Sequence, residues 1–502
     1  MGASWAVSAS LAVAAAQSQT FTVDTSHTKP WVHHWEESVG SGHAALTSRA
    51  DWRAHLTRCA QELGVKRTRF HGLLDDDFAI SLKEGSPDYV NLDSLVDFHL
   101  SIGMEPLFEV SFMPAWLAAN TSQTVCFYDG ITSPPTDYAK WGAVVHDMVA
   151  HLHARYGGTG SANRSGFLFE VWNEPNGGFW SPGDRTDAAK LAAYLRLYKA
   201  TADAVKAASA GEYLVGGPAT AGCSSVWLEA LIALNQTNAT ALDFMSCHAY
   251  GGGGDKNSSG NLGGLSTGNL RRHAATVGAG GVPSVLTEWS SSYSYNNGYH
   301  DDVASAPFIV LAVAQLGVDV SSYWTFSDVF EEGTLIPTPF HGGFGLLTIN
   351  GTPKPAYRAF QLLHGTGDVR YNVARQGGGA GSDGGACDTD TGVLATSLGS
   401  GGMRLFLTNH PATFNTTGAN CTITVDGAGV GPTTAVRHAR IDGANANPMA
   451  AWVAMGSPTY PSAAQLDALE AASELSWANY PAGLTFDVPA NGMVVVDVLG
   501  GR

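Results

Sequence analysis

The stretch Gly166-Phe-Leu-Phe-Glu-Val-Trp-Asn-Glu-Pro-Asn176 reads as a short buried strand that breaks into a polar turn. Phe167, Leu168, Phe169, Val171 and Trp172 make an apolar run of strand length. Asn173 and Glu174 follow, and Pro175 ends the run because it cannot donate to a ladder. An amide and a carboxylic acid thus stand at the C-terminal end of a strand, where parallel α/β barrels keep their chemistry. A second run, Pro283-Ser-Val-Leu-Thr-Glu-Trp289, ends in Glu288. Two carboxylates on two strand ends suit the cleavage of a glycosidic bond, one as proton donor and one as nucleophile or base.

Outward from these two strands, residues 36–365 alternate short apolar runs with helix-period segments. Helices are predicted over 49–63, 92–102, 138–156, 186–209, 226–234, 270–277, 303–316 and 356–364. Strands are predicted over 65–74, 105–112, 213–218, 243–250 and 318–326, besides the two carrying Glu174 and Glu288. About eight βα units of this kind predict a (β/α)8 TIM barrel. The alternative is a doubly wound sheet, which usually carries a Gly-rich phosphate fingerprint after a strand, and none is present. Beyond 365 the pattern changes. Residues 376–385 read as a Gly-rich linker, and strand-like pieces at 393–398, 403–409, 421–425, 434–441 and 493–499, with one helix near 463–474, predict an appended C-terminal β-sandwich. Residues 20–24 are expected to add a strand to it. The expected division is a signal peptide or its remnant over 1–19, a barrel over 20–365 and a sandwich over 366–502.

The 502 residues are 44% hydrophobic and 14% charged, the balance of a globular chain with a large core. Net charge is −17, and Lys and Arg are sparse and scattered, which speaks against a nucleic-acid partner. It also argues mildly against a polyanionic substrate. Residues 5–16 are small and apolar, and Ala14 and Ala16 fit a leader-peptidase rule, although no Lys or Arg precedes them. The segment is too short to span a membrane. Eight Asn-x-Ser/Thr sequons, at Asn120, Asn163, Asn235, Asn238, Asn257, Asn350, Asn415 and Asn420, point to a glycosylated, secreted or lumenal protein. In such a compartment the six cysteines can pair, Cys387 with Cys421 being the pair expected, and no CxxC suggests zinc or redox chemistry.

The local wording around both glutamates resembles glycoside hydrolase family 39, in particular its β-xylosidase branch. Phe-Glu-Val-Trp-Asn-Glu-Pro-Asn resembles the acid/base signature. Arg69-Phe-His-Gly-Leu-Leu-Asp-Asp-Asp77, Thr287-Glu-Trp-Ser-Ser-Ser-Tyr293, Tyr323-Trp-Thr-Phe-Ser-Asp-Val-Phe-Glu-Glu332 and Pro339-Phe-His-Gly-Gly-Phe-Gly-Leu346 look like further family blocks in order. The resemblance covers residues 20–365. It implies a retaining mechanism on a barrel with a β-sandwich, no metal and no other cofactor. Glu174 would be the acid/base and Glu288 the nucleophile, and Asn173 would meet the sugar 2-hydroxyl. His248 and Tyr250 match a His-x-Tyr on the sixth strand, and Tyr293 follows the nucleophile. His71, Trp324, Glu331 and Glu332 match positions that line the sugar pocket. An oligomer is compatible with the family.

Plainer readings apply to other conspicuous residues. Glu170 shares strand parity with Glu174 and is expected inside the barrel, hydrogen-bonded below it. His33, His34 and Trp35 are not expected to bind a metal. Asp75, Asp76 and Asp77 lack the spacing of an EF-hand and are expected to form a capping or solvated turn. The Gly251–Gly254 run lacks a P-loop Lys and is expected to be a rim loop. The expected activity is release of xylose from the ends of xylo-oligosaccharides. Alternatives are an α-L-iduronidase-like or other pentosidase, or a silent glycan-binding protein that keeps the barrel.

Overall fold

The computed structural model describes residues 17–157, 166–277, 281–376, 386–412, 414, 418–430, 434–481 and 483–499. Two β-systems divide them. In chain order, β1 (Gln17–Pro30) precedes the first barrel unit, β2 (Ser38–His43) and α1 (Ala50–Leu63). Then follow β3 (Arg67–His71), α2 (Val90–Ser101), β4 (Glu105–Val110), a small hairpin of β5 (Thr124–Val125) and β6 (Gly130–Ile131), and α3 (Tyr138–Tyr156). The second half runs β7 (Leu168–Val171), α4 (Asp187–Ala208), β8 (Leu214–Ala221), α5 (Ser225–Asn238), β9 (Phe244–Tyr250), α6 (Gly268–Ala274), β10 (Ser284–Ser290), α7 (Ser305–Leu316), β11 (Val320–Tyr323) and α8 (Pro355–His364). The strands β2, β3, β4, β7, β8, β9, β10 and β11 close in that order into a barrel of parallel strands, each followed by a helix.

The helices form where the pattern placed them because each has an apolar stripe to bury. Along α3, Trp141, Val145, Met148, Val149 and Leu152 are buried, at the spacings of one helix face. Asp137 caps its start by accepting from the N–H groups of Ala139 and Lys140, a contact worth about 1 kcal/mol. Inside the barrel, Leu107, Leu168, Phe244 and Val285 belong to a small apolar cluster low in the sheet. Two residues further along the paired strands β4 and β7, Glu109 and Glu170 point the same way. The barrel interior therefore passes from an apolar layer to a charged one before it reaches the site.

The remaining strands form the second system. They are β12 (Thr366–Gln376), β13 (Thr391–Leu398), β14 (Gly402–Asn409), β15 (Cys421–Asp426), β16 (Val436–Ile441), β17 (Ala478–Tyr480), β18 (Thr485–Val488) and β19 (Gly492–Leu499). With β1 they hydrogen-bond as one nine-stranded sheet in the order β17-β16-β19-β14-β13-β12-β1-β15-β18. The sheet curls so that the edge strand β18 packs against β14 and β19, enclosing a core of Phe21, Val23, Leu405, Leu407, Ile423, Val425, Phe486, Val494 and Val496. The expected sandwich is thus one curled sheet. Three short helices, α9 (Ala386–Asp390), α10 (Pro448–Ala454) and α11 (Ala463–Ser473), belong to this half, of which only α11 was expected.

Several boundaries shift for physical reasons. β7 ends at Val171, not at Pro175, because Trp172 adopts a left-handed backbone (φ 67°). The strand expected over 20–24 begins at Gln17, which pairs with Cys421. Residues 366–376, unassigned from sequence, are strand β12, which pairs with β1 and β13. The rest of the leader segment, most of the 376–385 linker, and the sequons at Asn163 and Asn415 lie outside the described residues. Cys387 pairs with Cys421 as expected, and Cys223 pairs with Cys247. Among the described residues, no helix is long and apolar enough to cross a membrane.

Candidate active site

At the C-terminal end of the barrel strands lies a cavity of about 600 Å³. Nine of the ten residues singled out from sequence line it: His71, Asn173, Glu174, His248, Tyr250, Glu288, Tyr293, Trp324 and Glu332. Glu174 follows the fourth barrel strand and Glu288 sits on the seventh. Each reaches the cavity by a local departure from regular geometry. Glu174 has φ 38°, just past the left-handed Trp172. In β10 the pairing with β9 jumps from Leu286↔Cys247 to Glu288↔His248, so one extra residue is bulged at Thr287. The bulge reverses side-chain parity, which turns Glu288 inward with His248 while Leu286 stays in the outer core.

A carboxylate oxygen of Glu174, one of Glu288 and a ring nitrogen of His248 all lie within 4.8 Å of one another. His248 Nδ1 stands 2.9 Å from Glu174 Oε1 and 3.3 Å from Glu288 Oε2. Burial lowers the His248 pKa to about 4, so the ring between the two carboxyls is neutral at pH 7. Burial raises the Glu174 pKa to about 7, against the pull of His71 and Arg69 and with help from Glu109. Near neutral pH Glu174 therefore carries a proton that it can give up. Glu288 is held for the opposite role. Tyr250 donates its hydroxyl to Oε2 at 2.6 Å and Arg69 Nη1 donates to Oε1 at 2.7 Å, bonds that suit a carboxylate. The tyrosine donor is Tyr250, whereas Tyr293 is 66% exposed at the cavity rim.

Arg69 is the residue that sequence reading passed over. It is fully buried, with Nε 2.5 Å from Glu170 and Nη2 2.8 Å from both Glu109 and the Asn173 carbonyl oxygen. Glu170 thus takes the interior place expected of it. The signal was present: Arg69 and His71 stand two apart in one strand block and so share a face. His71 Nδ1 meets Glu109 at 2.6 Å and its Nε2 meets Glu332 at 3.2 Å. Burial works against the charged ring, but Glu109 and Glu332 outweigh it and raise the pKa to about 10. Trp324, directly after β11, packs its ring 4.9 Å from that of His71. Gly40 lies beneath it, where a Cβ would come within 2.5 Å of the Trp324 ring. Phe179 and Phe344, absent from the sequence-level list, add apolar wall.

Glu331 does not line the cavity. It turns the other way and pairs with His43, which also meets Asp77 at 2.5 Å and stacks on Tyr128. Adjacent residues in an extended chain face opposite ways, and His71 takes Glu332, leaving Glu331 to the buried His43. Asp75 accepts from the Asp76 N–H at the start of a short turn, the capping role expected of that run. His33 meets Glu36 at 2.6 Å, and His34 meets Ser321 at 3.0 Å. Glu174, His248 and Glu288 are close enough to offer ligands to a cation. The guanidinium of Arg69, 2.7 Å from Glu288, repels one. The arrangement suits acid-assisted attack by a carboxylate without a metal.

The family model described as glycosyl hydrolases family 39 matches residues 21–481. That span runs well beyond residue 365, where the resemblance read from sequence stopped. A β-xylosidase of Caldicellulosiruptor saccharolyticus is 37% identical over 456 residues, 88% of each chain. A β-xylosidase of Geobacillus stearothermophilus is 34% identical over 67% of this chain and 69% of its own. The solved structure of a family 39 β-xylosidase from Caulobacter crescentus superposes with a TM-score of 0.75 at 29% identity, covering 96% of this chain and all of that one.

Proposed function

The chain belongs to glycosyl hydrolases family 39 and is a glycosidase, and from that premise we propose that it is a retaining, exo-acting β-D-xylosidase working on xylo-oligosaccharides. The observation that carries the mechanism is the approach of Glu174 and Glu288 oxygens to within 4.8 Å. Retaining pairs stand about 5–5.5 Å apart, whereas inverting pairs need about 6.5–9.5 Å to admit a water. Glu288 attacks the anomeric carbon while Glu174 protonates the leaving oxygen. Glu174 then takes a proton from the water that releases the sugar from Glu288. Trp324 gives the sugar an apolar surface, and Asn173, His71 and Glu332 offer polar atoms to its hydroxyls. The two β-xylosidase relatives support xylose as the sugar.

Initial rates on nitrophenyl β-xyloside, β-glucoside, α-L-arabinoside and α-L-iduronide test this reading. The β-xyloside is expected to lead in kcat/KM by about tenfold or more, the scale on which a pocket wall rejects one extra carbon substituent. Another leader would overturn the sugar and leave the two-carboxylate chemistry standing. The same substrate carries a pH expectation. Glu174 works in its protonated form, and its pKa is about 7. Above pH 7, kcat/KM should fall roughly tenfold per unit. Replacing Glu174 by Gln should erase that limb, and a limb that survives would remove Glu174 as its source.

A secreted or lumenal location belongs to the same proposal. Asn120, Asn238, Asn257, Asn350 and Asn420 are exposed, and two disulfides favour an oxidising compartment. Asn235 is a poorer acceptor, since its amide donates to the Thr240 carbonyl. An unchanged mass on enzymatic deglycosylation of the native protein would count against it.

A further inference from the structure

We propose that Asn176 is a positioning residue for the acid/base Glu174, acting through a clamp that the Cys223–Cys247 disulfide anchors to the strand carrying His248. The proposal rests on the acid/base role given to Glu174 above. Glu174 sits in a turn that its own backbone disfavours, since Trp172 and Glu174 both have positive φ without being glycine. Such conformations persist only where neighbours hold them. Here the neighbour is the C-terminal end of β8, bulged at Ala219, itself at φ 51°. Three hydrogen bonds join the two segments. Glu174 N–H donates to the Ala219 carbonyl at 2.9 Å. Asn176 Nδ2 donates to the Ala221 carbonyl at 3.0 Å, and Ala221 N–H donates back to Asn176 Oδ1 at 2.9 Å.

A turn tied to a loose strand end would gain little. This strand end is anchored two residues beyond Ala221, where Cys223 is bonded to Cys247 on β9. Asn269 adds a second tie, donating to the Cys223 carbonyl at 3.1 Å. Cys247 directly precedes His248, whose Nδ1 returns to Glu174 at 2.9 Å. The links therefore close a circuit: the Glu174 turn, Ala221, the disulfide, His248 and the Glu174 carboxyl. Asn176 does not line the cavity, so it reaches the reaction only through this circuit. Ala221, Gly222 and Cys223 do line it, which places the clamp on the same wall as the acid.

A structural role alone would lower activity on every substrate alike. Positioning of the acid has a distinct signature, because a poor leaving group needs its proton and a good one does not. The test is kcat/KM for Asn176→Ala, and separately for the double variant Cys223→Ala/Cys247→Ala, across aryl glycosides from phenyl to 2,4-dinitrophenyl. Asn176→Ala is expected to lose about tenfold or more on the phenyl glycoside beyond its loss on the dinitrophenyl one. The cystine variant is expected to lose in the same sense. The alkaline limb should move with them. Equal losses on all leaving groups, or none, in either variant would overturn the clamp. Glu174→Ala is measured alongside: if it too shows no leaving-group dependence, the fault lies in the acid/base assignment and not in the clamp.

Discussion

Replacing Glu288 by Ala is expected to lower kcat by at least about 10⁴-fold, roughly 5 kcal/mol of transition-state stabilisation. The size follows from what the carboxylate does at its position. The β10 bulge aims it into the cavity, Tyr250 and Arg69 hold both its oxygens, and a Glu174 oxygen lies within 4.8 Å. With the nucleophile gone, Glu174 can still protonate the leaving oxygen, but nothing covalent receives the sugar. Azide supplied in its place should restore turnover of an activated aryl glycoside and give the glycosyl azide of inverted configuration. The native enzyme should release sugar with its configuration retained, as followed by proton NMR during early turnover. Melting temperature serves as the control for folding, since Arg69 keeps Glu109 and Glu170 as partners in the variant. Inversion by the native enzyme, or a variant that keeps more than a few per cent of its rate, would remove Glu288 from the nucleophile's place.

Much of this site was legible in the sequence because the two strand ends are worded plainly. An apolar run followed by Asn-Glu-Pro marks a strand and a presented acid within eleven residues, though not the strand's end at Val171. The barrel was legible from alternation, since seven of its eight strands carry enough Val, Leu, Ile or Phe to show. The remaining one, Ser38–His43, is written in Ser, Gly and His around a single Val39, yet is buried throughout. It is short of large side chains where its neighbours approach closely, as the Trp324 ring does at Gly40. Parity was the weakest guide. It ran through Trp172, where the backbone is left-handed, and it could not foresee the bulge that turns Glu288 inward. The choice between Glu331 and Glu332 likewise depends on His43 and His71, which are distant in sequence. In the curled sheet, β12 alternates partly buried with exposed residues and offers no apolar run to find.

The charge balance of the barrel interior is equally a matter of partners distant in sequence. Four acidic groups, Glu109, Glu170, Glu288 and Glu332, face two cations, Arg69 and a His71 with a pKa near 10. The neutral His248 adds none. Burial is what lets Glu174 keep its proton, with Glu109 adding to it and His71 and Arg69 opposing it. Glu109 contributes to that directly, and its own pKa is lowered by His71 and Arg69 against the effect of burial. Arg69 and Tyr250 thus hold the carboxylate of Glu288, while burial keeps the proton on Glu174.

It follows that Arg69→Met should damage stability and catalysis together. The substitution keeps most of the volume and removes, among the described residues, the only permanently charged cation in contact with Glu109, Glu170 and Glu288. Breaking a buried ion pair from one side costs about 3–5 kcal/mol, because the remaining charge is left uncompensated. Here three carboxylates lose a charged partner at once, Glu109 keeping His71, and the Asn173 side-chain oxygen loses a donor as well. The network can relieve itself by taking up a proton, and a proton taken up at Glu288 disables attack. The expected result is a drop in melting temperature and a loss in kcat of about 10³-fold or more near neutral pH. The acid side of the pH–rate profile should move to higher pH, since deprotonating a cluster without its cation is harder. Arg69→Lys should recover part of the stability and less of the rate, because one ammonium cannot reach all four partners in the planar geometry that the guanidinium uses. A variant that melts like the native protein and keeps its acid limb would show that the carboxylates neutralise one another without Arg69.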